Sequence, residues 1–376
     1  MDHILIGLAI AFIITFYAIP VIIRVADIKK LYDEPDERKI HTTPIPSLGG
    51  LGIYAEFLLA VLIAVPEQNS ELQYYIAASL VIFFLGLKDD ILVLSPLKKF
   101  LGQLLAAFII IYKGGIEINI MHGFLGLHQL PEFFSLALSY FTVIVIINSF
   151  NLIDGVDGLA GSLGLFTSAC FGSYFLINGQ IGLAVLGFSL AGALAAFLIF
   201  NFSPAKIFMG DTGAMLIGLI NAILVIKFIN LSTLGIEVAT PLVASPAIGF
   251  AILMVPLFDT LRVFAIRILY RRSPFSPDRN HIHHLLLDRG MSHKSVTISI
   301  LLANMIFAAL AYYFRQVGST WLIFGLVSTG FSVISILLYT QPKTKLFAAV
   351  EKESQKAQKQ TKIIPFATGK AVVNDE

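Results

Sequence analysis

Charged side chains are the scarcest feature of this sequence: Asp, Glu, Lys and Arg make up 13% of its 376 residues, against about 25% in ordinary soluble domains. So little charge cannot clothe a water-soluble chain of this length. The net charge of +2 excludes the strongly basic balance of a nucleic-acid binder. There is one cysteine, Cys170, so no internal disulfide can form, and its apolar setting makes it a packing residue. A basic region ahead of the first apolar run, residues 4–25, is also lacking. That run exceeds a signal-peptide core in length and is read as a retained helix.

What is present is apolar: 57% of the residues are hydrophobic and the mean hydropathy is +0.83. Runs near the roughly 20 residues that cross a bilayer fall at 4–25, 48–65, 72–87, 97–112, 133–150, 158–177, 181–200, 212–230, 243–268, 295–314 and 321–340. The expected fold is an all-α integral membrane protein with about eleven transmembrane helices. The ninth run carries Pro246 and Pro256, which predicts a bend. Between the fourth and fifth runs, the alternation Ile116-Glu117-Ile118-Asn119-Ile120 predicts a short outer β-hairpin within residues 114–129. Residues 341–376, rich in Lys, Gln and Glu, read as a flexible cytoplasmic tail on a catalytic domain of residues 1–340.

Cations orient the chain. With the amino terminus outside, 23 of the 26 Lys and Arg residues fall in inner loops or the tail, leaving Lys113, Lys227 and Arg315 for the outer side. The amino terminus is therefore expected outside and the carboxyl terminus inside.

The acids partition in the same way. Asp89 and Asp90, Asp154 and Asp157, Asp211, and Asp259 all fall at inner helix ends. Any one of them can be a solvated end marker, but four separate loops share the habit. Asp89 and Asp90 are adjacent, about 100° apart on a helix, so unequal roles are expected. In Asn151-Leu152-Ile153-Asp154-Gly155-Val156-Asp157-Gly158, a helical reading puts Asn151 and Asp154 on one face. Gly155, Gly158 and Gly161 would then serve helix packing or close approach of a ligand. Asp211 precedes an apolar helix and is either an N-cap or a ligand of Mg²⁺, a hard ion often held by one or two carboxylates plus substrate phosphates. The segment Ser273-Pro274-Phe275-Ser276-Pro277-Asp278-Arg279-Asn280-His281-Ile282-His283-His284 gathers three of the eight histidines. No cysteine accompanies them and the spacing is not a standard zinc pattern. Solvated loop histidines remain an alternative to phosphate or sugar contact, for which Arg279 has the planar fork.

The ordered set of motifs resembles the polyprenyl-phosphate N-acetylhexosamine-1-phosphate transferases over roughly residues 1–300. It is most similar to the bacterial undecaprenyl-phosphate N-acetylglucosamine-1-phosphate transferases. The resemblance rests on Arg38-Lys39-Ile40-His41 leading to Pro46-Ser47-Leu48-Gly49-Gly50, on Asp89-Asp90, and on Lys99 before Gly102-Gln103. It continues in Asn151 to Gly158, in Phe208-Met209-Gly210-Asp211, and in the histidine segment. The muramoyl-pentapeptide transferases share the middle motifs but usually carry three consecutive histidines and a different first loop.

The resemblance implies transfer of an N-acetylhexosamine 1-phosphate from a UDP-N-acetylhexosamine to undecaprenyl phosphate, releasing UMP, at the cytoplasmic face of the inner (plasma) membrane. It implies Mg²⁺, with Mn²⁺ as the alternative ion, held by Asn151 and Asp211. Asp89, Asp90, Lys99, Asp154 and Asp157 would be catalytic, and Lys39, Ser47, Phe208, Arg279, His281, His283 and His284 would bind substrate. The partners expected are the UDP-sugar, the lipid phosphate and the bilayer, without nucleic acid; a homodimer is compatible with this reading. A secondary transporter is the alternative from another class, but its site would lie at mid-membrane between repeats, where only Glu56 lies deep in a run and no repeat is evident.

Overall fold

The computed structural model describes residues 1–31, 45–66, 71–231, 242, 244–271 and 280–340. Its helices are α1 (Asp2–Lys29), α2 (Gly49–Ala64), α3 (Leu72–Ile91), α4 (Pro96–Tyr112), α5 (Glu132–Ile153), α6 (Leu159–Ile177), α7 (Ile181–Asn201) and α8 (Gly210–Leu231). After them come α9 (Ser245–Ile252), α10 (Met254–Leu269), α11 (Ile282–Leu287), α12 (His293–Tyr313) and α13 (Ser319–Tyr339). Every apolar run of the sequence coincides with a helix, the ninth with the pair α9 and α10. Among the described residues seven helices are long and apolar enough to cross a membrane, or eight if the bent pair is one span. Large apolar side chains such as Leu5, Ile13, Tyr17 and Val21 lie exposed along α1, a surface that lipid rather than water must cover. The chain is a multi-pass membrane protein.

Burial sorts these helices. In α8, 89% of the apolar stretch is buried, against 22% in α1 and 28% in α12, so α8 is the central pillar. It packs against α2, α3, α5 and α6. Close approach at its amino-terminal end depends on glycine: a Cβ on Gly50 would lie 2.2 Å from the Gly213 amide, and one on Gly86 would lie 2.4 Å from Thr212 Cα. Compactness divides the chain into Met1–Ser332 and Val333–Glu376. The described part of the second unit, residues 333–340, is the end of α13 and the residue after it. The tail of residues 341–376 lies outside the described residues.

The hairpin is present and shorter than the alternation suggests. Strands β1 (Ile120–Phe124) and β2 (Leu127–Gln129) pair antiparallel, Phe124 opposite Leu127. The turn residues Leu125 and Gly126 both have positive φ, 52° and 80°, as a type I′ turn requires. Upstream, Ile116 and Ile118 are buried, but the Ile118 amide donates to Ser139 Oγ on α5 at 2.8 Å rather than to a strand. The alternation there places side chains without making a ladder.

The bend expected in the ninth run measures 84° between α9 and α10. Its cause is local. Pro256 has no N–H, so the Ile252 carbonyl four residues earlier loses its helical donor. Asn304 on α12, fully buried, replaces it: Nδ2 donates to Ile252 O at 2.9 Å, and Oδ1 accepts from the Val255 amide at 2.9 Å. One amide side chain satisfies both groups that the break frees, and the break turns the polar face of α10 toward the other motifs. Asn304→Leu leaves both groups unpaired in an apolar interior, a loss on the order of 2 kcal/mol. Thermal unfolding in detergent is expected to show a lowered Tm, and an unchanged Tm would mean that the bend is held elsewhere.

Candidate active site

The start of α8 is built by three other segments. The Phe208 amide donates to Pro46 O at 2.8 Å, and the Gly49 and Gly50 amides donate to Phe208 O and Met209 O at 3.0 and 2.7 Å. The first loop motif and the Phe-Met-Gly-Asp motif thus form one backbone-paired unit. Gly210 then takes φ +72°, and a Cβ there would lie 2.3 Å from Ser47 O and 2.8 Å from both Asp90 carboxylate oxygens. Only glycine fits. Asp90, at the end of α3, occupies that space and caps α8. Its Oδ1 accepts from the Asp211 amide at 2.7 Å, and its Oδ2 accepts from the Thr212 amide and Thr212 Oγ1 at 3.1 and 2.6 Å. The sequence leaves Asp211 open as an N-cap; the structure takes the cap from another helix and frees the Asp211 side chain.

That carboxylate faces Lys99 and Asn151. Lys99 Nζ is ion-paired with both Asp211 and Asp89, and Asn151 Nδ2 donates to Asp211 Oδ1 at 2.7 Å. Asp89 also accepts from the Leu94 amide at 2.6 Å, which fixes the turn between α3 and α4. Adjacent Asp89 and Asp90 do take unequal positions, one in the ion-paired cluster and one under α8. Four of the residues singled out in the sequence, from four helices, meet here.

Asp154 lies just past the end of α5, with φ −77° and ψ 60°. The shared helical face expected for Asn151 and Asp154 is therefore not formed, because the helix stops at Ile153. The glycine row is likewise broken: Gly158 has φ +75° and α6 starts at Leu159. No hydrogen-bond donor among the described residues reaches Asp154. Burial, with the charges of Asp211, Asp90 and Asp157, pushes its carboxyl up to about 8. Asp157 instead ties loops together: Oδ2 accepts from the Ala205 amide at 3.2 Å, Oδ1 pairs with His293 Nδ1 at 3.2 Å, and its carbonyl accepts from Thr297 Oγ1 at 2.8 Å.

The histidines form the facing wall. His281 and His283 are buried and stack with ring centroids 5.7 Å apart and planes 9° apart, and the His284 ring lies 4.3 Å from that of His283. His283 Nε2 comes so close to Gly155 that a Cβ there would be 2.7 Å away. Burial, and then the neighbouring His284, push the His283 imidazole down to about 3. A cavity of about 360 Å³ separates the walls, lined by Lys99, Asn151 and Gly155 on one side and by Arg267 and the three histidines on the other. Gln103 and Asn148, joined by a 2.8 Å hydrogen bond, also line it. Ser47 and Phe208 belong to the backbone unit that carries α8 and are not among the lining residues. Lys39 and Arg279 lie outside the described residues.

Sequence reasoning did not assign Asp259, Arg262 or Arg267. All three are buried and lie on the polar face of α10. The available signal was the pattern Asp259-Thr260-Leu261-Arg262, with charges three residues apart inside an apolar run.

Among the described residues, no three His, Cys, Asp or Glu side chains are arranged as a metal cage. Asp211 and Asp154 do offer hard carboxylate oxygens whose charges interact, with Asn151 bonded to the first and no donor among the described residues on the second. That set fits an ion that is held by few protein groups and completed by water and phosphate. The imidazole wall has no thiolate and does not suit structural zinc.

Residues 72–229 match the model of glycosyl transferase family 4. A Mycobacterium leprae (strain TN) protein named decaprenyl-phosphate N-acetylglucosaminephosphotransferase is 35% identical over 320 residues, 79% of this chain and 80% of its own. A Bacillus subtilis (strain 168) protein named "Probable undecaprenyl-phosphate N-acetylglucosaminyl 1-phosphate transferase" is 32% identical over 331 residues, 86% and 88% of the two chains. The Escherichia coli (strain K12) undecaprenyl-phosphate alpha-N-acetylglucosaminyl 1-phosphate transferase is 30% identical over 287 residues, 74% and 75%. This chain belongs to glycosyl transferase family 4, as its motifs implied.

The low proton affinity of His283 sets a pH dependence. In the unfolded chain the imidazole takes a proton near pH 6.5, whereas in the fold it does so only at about 3. The unfolded state therefore binds more protons below about pH 6.5, and stability is lost as pH falls through that range. A His283→Asn variant, which does not titrate, is expected to lose less Tm than the wild type between about pH 6.5 and pH 4.5. Parallel Tm profiles would show that His283 is not buried in its neutral form.

Proposed function

We propose that this enzyme transfers N-acetylglucosamine 1-phosphate from UDP-N-acetylglucosamine to undecaprenyl phosphate, releasing UMP, as the first membrane step of a cell-envelope polysaccharide. The observation that carries the reading is the cavity between the two walls. One wall holds an ammonium shared by two carboxylates, and the other holds stacked imidazoles with Arg267.

A lipid phosphate oxygen attacks the sugar-bearing phosphorus as the bond from that phosphorus to UMP breaks. Both reactants are anions, so positioning and charge neutralisation supply most of the rate. Lys99 and Arg267 would neutralise phosphate oxygens, and Asp89 orients Lys99. The acceptor monoester has its second pKa near 6, so no strong base is needed at neutral pH. Asp211, Asn151 and Asp154 would hold Mg²⁺, with Mn²⁺ as the alternative, which supplies further neutralisation of the diphosphate when bound. Asp90 and Asp157 act through the frame, the first by aiming Asp211 and the second by fixing the Asp154 loop against α12. His281, His283, His284 and Arg279 read the sugar, with Lys39 on the first loop.

Helix α4 serves both substrates. Lys99, Phe100 and Gln103 line the polar cavity, while Leu101, Leu104, Leu105 and Phe108, with Tyr140 of α5, line an apolar groove of about 440 Å³. A polyprenyl tail in that groove keeps its phosphate at Lys99. The apolar runs favour eleven spans, the inner-loop cations favour an outside amino terminus and a cytoplasmic site, and the family resemblance favours the inner membrane. Many spans, buried acids and a bent span are shared with transporters, yet the backbone groups that the bend frees are bound by Asn304.

Asp211→Asn is expected to lower transfer from UDP-N-acetylglucosamine by at least about 100-fold while insertion and Tm are retained. Near-normal activity at saturating Mg²⁺ would remove Asp211 from the ion's ligands. Topology is checked by replacing Cys170 and placing single cysteines at Leu125 and Asp288. An impermeant thiol reagent on intact cells is expected to label the first and not the second, and the reverse pattern would put the site on the outer face.

A further inference from the structure

Asp259, outside the Lys99 cluster, is a heavily committed acid. Its Oδ1 accepts from Arg262 Nη2 at 2.9 Å and from the Ile282 amide at 3.1 Å, and its Oδ2 faces His281 Nδ1 at 2.8 Å. Arg262 Nη2 also donates to the Asn280 carbonyl. One buried acid and one buried arginine therefore grip both the backbone and the ring at the start of the histidine wall.

An ionised carboxylate only accepts hydrogen bonds, so the proton of this contact lies on His281 Nδ1. Asp259, Arg262 and His281 are all buried. The carboxylate and the guanidinium already balance, so a neutral imidazole leaves the trio without net charge, which burial favours. A neutral imidazole with its proton on Nδ1 has a lone pair on Nε2. That nitrogen is buried and has no partner among the described residues, and His281 lines the cavity.

The geometry points to Asp259 as a positioning residue that fixes this tautomer, so that His281 Nε2 accepts a hydrogen bond from a hydroxyl or the acetamido N–H of the donor sugar. The inference rests on the reading of the chain as a UDP-sugar transferase and narrows it. A deprotonated phosphoryl oxygen has nothing to donate to a lone pair. Phosphate contact therefore falls to Lys99 and Arg267, and sugar discrimination to His281.

Asp259→Asn inverts the arrangement by a defined route. Two donors, Arg262 and Ile282, converge on Oδ1, so the amide oxygen stays there and the new NH₂ faces His281 Nδ1. The ring proton is then driven to Nε2, and the acceptor in the cavity becomes a donor.

The test combines two readouts on the full-length protein in nanodiscs. Histidine ¹⁵N spectra, with His281 assigned by its loss in His281→Ala, are expected to show Nδ1 protonated and Nε2 bare in the wild type, with the pattern exchanged in Asp259→Asn. A protonated Nε2 in the wild type overturns the inference even if the variant fails to fold. Steady-state kinetics then compare UDP-N-acetylglucosamine with analogues that lack one ring hydroxyl or the acetamido N–H. One analogue is expected to lose about 10-fold in kcat/KM with the wild type and to show no such penalty with His281→Ala, while inhibition by UMP is the same in both. Absence of any penalised analogue, or a penalty that survives in His281→Ala, also overturns it. A wild type that turns over no UDP-N-acetylglucosamine would instead remove the proposed substrate, and the nitrogen spectra would still decide the tautomer.

Discussion

The cap that Asp90 places on α8 is the constraint on which the site depends. Helix amino termini carry unpaired N–H groups and partial positive charge, and a helix usually answers both with its own preceding side chain. Here the answer comes from the end of α3. Two results follow together. The pillar helix is locked in register with α3 through the Gly86 contact, and Asp211 turns toward Lys99 and Asn151. A helix that began at Thr212 and capped itself with Asp211 would have lost that carboxylate from the cluster.

The other wall depends on a helix that does not run straight. Pro256 breaks the ninth span, Asn304 binds the freed backbone groups, and α10 leaves at 84° to α9 with Asp259, Arg262 and Arg267 along one side. Asp259 then fixes the histidine segment by the His281 ring and the Ile282 amide. Proline, asparagine, aspartate and histidine form a chain of dependence from the interior of the bundle to the cavity. The asparagine and aspartate links are hydrogen bonds whose loss would leave buried polar groups unpaired.

Much of this was legible in the sequence because lipid enforces a simple pattern. Long apolar runs gave the helices, Pro256 marked the bend while Pro246 lies in the first turn of α9, and the acids clustered at helix ends except Asp259, which lies inside α10. The residues that meet at Asp211 were all named from their motifs. What stayed hidden was tertiary. Nothing local distinguishes Asp90, which caps a distant helix, from Asp89, which holds a lysine. Asn151 and Asp154 have helical spacing, but the chain leaves the helix between them. Asn304 is a single polar residue in an apolar run, and its role exists only opposite a break 50 residues away in sequence. Arg262 and Arg267 counted toward orientation as inner-side cations, and that reading obscured their burial beside the cavity.

Lys99 is shared between Asp89 and Asp211, and this has a consequence for how tightly any anion is held. A cation already bound by two carboxylates gives up part of its attraction before a phosphate arrives, so a ligand gains only the difference between old and new partners. Such a site trades tight holding for exchange. On the proposed reading a lipid phosphate must leave again as a bulkier diphosphate, and a lysine kept in competition would release that product more readily than one left unpaired.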